Sequence, residues 1–106
     1  MLFMVVERFA PGIAAEIYRT VRERGRMLPD GLIYVDSWVS ASLDVCFQLM
    51  ECEDPLLLQE WTAQWGILAD IDLVPVVPSK STADLMARLA GQAVPADPLE
   101  IDPIES

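Results

Sequence analysis

Five residues are arranged so that they could do chemistry together: Tyr34, Asp36 and Trp38 at alternate positions of one segment, and Cys46 and Gln48 in the next. If the two segments form a hairpin centred near Ser42, alternation puts all five on one sheet face, with Asp36 opposite Gln48 and Trp38 opposite Cys46. An aromatic wall, a carboxylate and an amide could hold and deprotonate a small acidic organic molecule. Asp36 draws the eye because aspartate is disfavoured in strands, and a lone buried carboxylate costs several kcal/mol unless paired or neutral, by roughly what such transfers cost. The plainer reading is that Asp36 and Gln48 satisfy each other inside an interface while Tyr34 and Trp38 pack. Trp61 and Trp65, one helical turn apart, read as core or interface anchors.

Other chemistries are struck off by composition. The chain has no histidine, so Ser-His-Asp and Cys-His nucleophiles, HExxH metal sites and His-ligated haem are excluded. Cys46 and Cys52 lie six residues apart on one extended segment, hence about 20 Å apart, whereas a disulfide needs Cα atoms within about 7 Å. They fit no zinc pattern and read as unpaired, buried thiols in a reducing compartment. No metal and no cofactor is expected.

Charge narrows the partners. Seventeen acidic residues against seven basic give a net charge of −10, which opposes nucleic acid and anionic membranes. Arg8, Arg19, Arg22, Arg24 and Arg26 cluster early, and no Lys or Arg follows until Lys80; Arg19, Arg22 and Arg26 read as one solvated helix face. No apolar run approaches the roughly 18 residues of a membrane span, and MLFMVVERF resembles no export leader. A cytoplasmic protein is expected.

The elements that must position these residues follow from punctuation and period. Leu2 to Phe9 is β-prone and stops before Pro11-Gly12. Pro11 to Arg24 carries apolar residues at helical spacing and stops at Gly25. Leu32 to Ser40 and Asp44 to Cys52 read as a hairpin after the turn Pro29-Asp30-Gly31. Asp54 caps a helix from Pro55 to Trp65, closed by Gly66. Asp70 to Val77 is a fourth strand, placed at a sheet edge or a bulge by Pro75, which cannot donate a ladder bond. The order βαββαβ predicts an α+β, ferredoxin-like domain over residues 1–78, with a four-stranded antiparallel sheet and both helices on one face.

One parity of the hairpin, Ile33, Val35, Ser37, Val39, Val45, Phe47 and Leu49, suits the helix-covered core. The other carries the five candidate residues and is still too apolar for open water; β-prone Leu2 to Val6 is apolar on both sides. At 53% hydrophobic, a 106-residue chain holds more apolar surface than one small core hides. A homodimer packed sheet to sheet would cover it.

The segments MLFMVVERF, YVDSWV at 34–39, CFQLME at 46–51, LLQEW at 57–61, Trp65 and VPVV at 74–77 resemble a family of uncharacterised small prokaryotic proteins. Through it the chain is similar to the dimeric α/β-barrel group, in which two ferredoxin-like sheets close on each other. That group includes cofactor-independent monooxygenases, muconolactone isomerases and haem-degrading enzymes. The haem activity does not carry over, because the group's usual histidine is missing, and no catalytic motif of the other members can be laid onto these residues.

A short helix over 79–91 follows, with Leu85, Met86 and Leu89 on one face and Ser81 to Asp84 resembling a capping box. Residues 92–106 form an acidic, proline-rich tail in which Leu99, Ile101 and Ile104 alternate with charge. Three functions remain open: a module binding a small apolar or aromatic molecule between sheet and helices, a cofactor-independent monooxygenase or isomerase, or a non-catalytic interaction subunit.

Overall fold

In the computed structural model, which describes residues 1–66 and 68–92, the elements are β1 (Leu2–Phe9), α1 (Ala14–Arg24), β2 (Ile33–Val39), β3 (Val45–Glu51), α2 (Leu56–Trp65), β4 (Ala69–Val76) and α3 (Ser79–Gln92). The sheet order is β2-β3-β1-β4, and every neighbouring pair is antiparallel. This is the ferredoxin-like α+β arrangement. Pro75 lies in edge strand β4, where its missing N–H costs no ladder bond.

α1 begins three residues later than its period predicts, because Gly12 takes a positive φ of 76° and makes a turn after Pro11. It ends as expected, at Gly25 (φ 68°), whose N–H reaches the Val21 carbonyl at 2.8 Å. Ahead of α2, the Asp54 carboxylate accepts the Leu56 N–H at 3.0 Å and satisfies a donor that the helix cannot.

The core forms where α1 and α2 cover one sheet face. Phe3 and Val5 of β1 and Met50 of β3 meet Ile17 of α1 and Leu58 and Trp61 of α2 there. The register decides which residues of β3 join them. Phe3 is paired with Met50, Val5 with Gln48 and Glu7 with Cys46, and paired residues share a face. Cys46, Gln48 and Met50 are therefore buried beneath the helices, while Val45, Phe47 and Leu49 face away. This reverses the parity read from hydrophobicity, which sends the more apolar set inward.

In β2 the alternation is broken by a bulge. Ile33 and Tyr34 pair with Glu51 and Met50, the register shifts between Tyr34 and Asp36, and Asp36, Ser37, Trp38 and Val39 then pair with Leu49, Gln48, Phe47 and Cys46. The expected pairs Asp36 with Gln48 and Trp38 with Cys46 do not form, because Val35 is the extra residue of the bulge. Tyr34 and Ser37 thus share the helix-covered face, and Asp36 and Trp38 share the other.

That other face carries Leu2, Met4 and Val6 between Phe47 and Val74, with Trp38 towards the β2 edge; Trp38 is 52% exposed and Phe47 38%. Arg8 donates to Asp72 at one end.

Residues Met1–Val76 make one compact unit, and the described residues from Val77 to Gln92 belong to a second. In the second, α3 starts at Ser79, with the Pro78 carbonyl accepting from Ser81 and Thr82 at 2.9 and 3.3 Å. Ser81 therefore sits inside the helix and the expected capping box does not form; Asp84 instead meets Lys80 one turn back at 3.5 Å. The tail from 93 to 106, with Leu99, Ile101 and Ile104, lies outside the described residues.

Candidate functional site

Glu7 is the residue around which a site is built. It follows Phe3 and Val5 on the inward parity of central strand β1, so the pleat carries its carboxylate under the helices, where it is only 6% exposed. On β3, Gln48 is equally enclosed, at 8% exposure, and its Nε2 donates to Glu7 Oε1. Its own Oε1 is buried and has no partner among the described residues, an arrangement that costs free energy unless something supplies a donor.

Burial in this apolar setting pushes the Glu7 carboxyl up from 4.5 to about 7, against the opposing pull of the Gln48 N–H and of the Arg26 charge. The neighbouring Cys46 thiol is pushed up to about 11, mainly by burial and further by the Glu7 charge. The Tyr18 hydroxyl is also raised, by burial first and then by the charges of Cys46 and Glu7. Near neutrality the site therefore holds two protonated groups and a carboxyl close to its midpoint.

Between sheet and helices lies a cavity of about 60 Å³, with Glu7, Cys46, Gln48 and Ser37 on its sheet side, Ile17, Tyr18 and Val21 from α1, and Trp61 and Trp65 from α2. Arg26 closes it from the loop after α1. The loop is pinned by its backbone: the Arg26 carbonyl accepts from Trp61 Nε1 at 2.9 Å and Trp65 Nε1 at 3.2 Å. Met27 then takes a positive φ of 56° and turns the chain away. The Arg26 guanidinium lies 3.7 Å above the centre of the Tyr34 ring, a cation–π contact, and the Tyr34 hydroxyl meets Ser37 Oγ at 2.5 Å. Among the described residues no group of three acidic or thiol side chains could hold a metal ion.

With this geometry in view, the comparison with known families is informative: the model of a domain of unknown function, DUF3303, matches residues 1–90. The chain belongs to that family. No curated protein and no solved structure matches it. The match spans the whole α+β unit of this DUF3303 domain and every residue of the cavity.

Of the five residues singled out by spacing, the structure brings Cys46 and Gln48 into the cavity wall and sets Tyr34 beside it through Arg26 and Ser37. Asp36 and Trp38 are not brought there. Asp36 is exposed on the opposite face, its Oδ1 accepting its neighbour Ser37's N–H at 2.8 Å. The carboxylate in the cavity of this DUF3303 domain is Glu7, which the sequence signals in the way it signals Asp36: it interrupts the inward set Phe3, Val5, Phe9. Arg26 is hidden in the sequence by its grouping with Arg19 and Arg22 on one wet helix face, yet α1 ends at Arg24 and Arg26 is half-buried beyond it. Trp61 and Trp65, anchors by spacing, are buried with ring centres 6.4 Å apart.

Proposed function

We propose that this domain binds a small, largely apolar or aromatic organic molecule in the cavity between sheet and helices. The observation that carries the reading is the unpartnered Oε1 of Gln48, fixed beside Glu7 in the wall of an apolar cavity. Buried acceptors are nearly always satisfied, and a ligand hydroxyl or amide would satisfy this one. At about 60 Å³ the cavity fits a few heavy atoms as it stands, since a cavity of about 150 Å³ is what takes up a benzene ring. A ring would enter by displacing the exposed Tyr18 side chain at its mouth. The test is an NMR titration of the full chain with isobutanol and benzyl alcohol, followed at the indole N–H signals of Trp61 and Trp65. Saturable shifts that vanish when Ile17→Phe fills the cavity support the reading; no shift up to the solubility of either alcohol overturns it.

The Glu7 carboxyl, poised at about 7, also favours a second reading, a cofactor-independent isomerase or monooxygenase in which Glu7 is the general base. Its mark would be loss of turnover in Glu7→Gln with ligand binding retained.

The domain is further proposed to work as a homodimer joined through the face that carries Trp38, Phe47 and Leu49. Four strands at about 4.8 Å spacing and seven or eight residues at about 3.3 Å give a footprint of roughly 19 by 25 Å before side-chain relief. That is about 475 Å², a little over half of the ~800 Å² per partner of a standard interface, and the patch is apolar across its middle, from Trp38 through Phe47 to Met4 and Val74, with Arg8, Asp70 and Asp72 at one end. Sedimentation equilibrium at micromolar concentration should report about twice 11.8 kDa for the full chain. Phe47→Asp should return it to a monomer, and a wild-type monomer refutes the dimer. Unpaired, buried Cys46 and Cys52 are in keeping with a reducing, cytoplasmic setting.

A further inference from the structure

We infer that the molecule this cavity takes is a small monocarboxylate with a branched or aromatic body, its carboxylate held by Arg26 at the mouth and its body lying against Glu7 and Gln48. The inference rests on the cavity being a ligand site. It begins with an imbalance: acidic residues outnumber basic ones seventeen to seven, yet among the described residues no carboxylate lies within ion-pair distance of Arg26. The guanidinium carbon lies 3.7 Å over the Tyr34 ring, and among the described residues the guanidinium donates no hydrogen bond, which leaves its N–H groups available to a ligand. Such groups form the fork that receives a carboxylate in two parallel hydrogen bonds. Arg26 is half-buried, its backbone pinned by the two indoles on its own carbonyl and its guanidinium set against Tyr34, which limits the freedom lost on binding.

The rest of the wall sets the charge of what can enter. Glu7 faces Cys46 from β3, Tyr18 from α1 and Arg26 from the following loop. β2 contributes neutral Ser37, α2 two indoles, and β4 sets Ile71 beside Glu7. With the thiol, the phenol and the carboxyl protonated, Arg26 is the one charge in the wall, and a monoanion is the ligand that balances it. The negative charge of a bound carboxylate offsets the Arg26 cation that holds the Glu7 carboxyl down, and so raises the proton affinity of Glu7 further. Binding therefore draws a proton onto Glu7, and the protonated carboxyl and Gln48 Oε1 together offer one donor and one acceptor to a polar group on the body.

Isobutyrate and isobutanol, which share a branched body suited to the cavity, separate this inference from the reading beneath it. The experiment titrates the full chain with each at pH 6 and pH 8.5, reading the Trp61 and Trp65 indole signals. Isobutyrate is expected to bind at least about tenfold more tightly than isobutanol at pH 6. By pH 8.5 it should weaken by up to about thirtyfold, since each pH unit above the Glu7 midpoint costs up to tenfold. Arg26→Gln, which leaves the backbone carbonyl on the indoles, should erase the preference for the acid, and Glu7→Gln should keep the preference while removing its pH dependence. If isobutanol binds as well as isobutyrate, the carboxylate assignment fails and the cavity reading stands. If the acid binds with an affinity indifferent to both substitutions, the assignment also fails. Binding of neither, together with silence towards benzyl alcohol, removes the ligand site itself.

Discussion

Replacing Glu7 by glutamine should make this protein more stable at pH 8 and leave it nearly unchanged at pH 4.5. Glu7 titrates near 4.5 in an unfolded chain and at about 7 in the folded one, so folding favours its protonated form. The stability this contributes is fully present below about pH 4.5 and is lost as pH rises through about 7, where the native state must either hold a proton or bury a charge. At 1.36 kcal/mol per pH unit the full loss is at most about 3.4 kcal/mol, which for a domain of this size corresponds to roughly 15 °C in Tm. The amide in Glu7→Gln stays neutral at every pH and its oxygen can still accept from Gln48 Nε2, so the variant escapes that loss. Urea unfolding followed by the fluorescence of buried Trp61 and Trp65, run on both proteins from pH 4.5 to 8.5, gives the difference directly. Any constant offset between amide and acid cancels when the two ends of the range are compared, as do the other titrating groups. A difference that is flat with pH within about 0.5 kcal/mol, or that grows in the opposite direction, would refute the account of Glu7 as a desolvated carboxyl.

The cysteines and the hairpin turn supply two further tests. With its thiol at about 11, Cys46 should alkylate with iodoacetamide at pH 8 roughly a hundredfold more slowly than an unfolded thiol; intact-mass time courses showing rapid double labelling, or a loss of two hydrogens without reductant, would contradict this. Leu43 takes a positive φ of 63° in the β2–β3 turn and its side chain is exposed, so Leu43→Gly should raise stability by about 0.5–1 kcal/mol by removing left-handed strain. A fall in urea midpoint would show that the side chain contributes more than the strain costs.

Element order, by contrast with these energies, is legible in the residues alone. Pro11-Gly12, Gly25, Asp54-Pro55 and Gly66 are local punctuation, and local chemistry decides where strands and helices stop. Pro75 narrows β4 to an edge or a bulge, because its missing N–H cannot join a regular interior ladder, and the sheet order puts it at the edge. What the residues do not disclose is which face of each strand turns inward. Val45, Phe47 and Leu49 outscore Cys46, Gln48 and Met50 in hydrophobicity, and a rule based on burial alone sends the first set under the helices. The folded chain does the reverse because β1 fixes the register: the Gln48 amide donates to the Glu7 carboxyl across β1 and β3, and that bond lets the polar parity be the covered one. Periodicity within a segment carries no information on such a partnership, since it joins residues 41 positions apart.

The bulge at Val35 settles the rest of the site's geometry, and its effect can be worked out by removing it on paper. Ile33 with Glu51 and Tyr34 with Met50 define a register that, continued without a shift, would set Asp36 against Gln48 and Trp38 against Cys46 beneath the helices. A second carboxylate would then sit beside Glu7 in a low-dielectric pocket, where like charges at close range oppose joint ionisation. An indole would also project into the space that the cavity now occupies. One inserted residue instead sets Ser37 against Gln48 and Val39 against Cys46, small side chains that leave the space open. Asp36 and Trp38 pass to the far face, where the carboxylate meets water and the indole joins Phe47 in the apolar patch. The same inserted residue thus empties the pocket around Glu7 and enlarges the apolar patch on the far face, which ties the proposed binding site and the proposed association face to a single feature of β2.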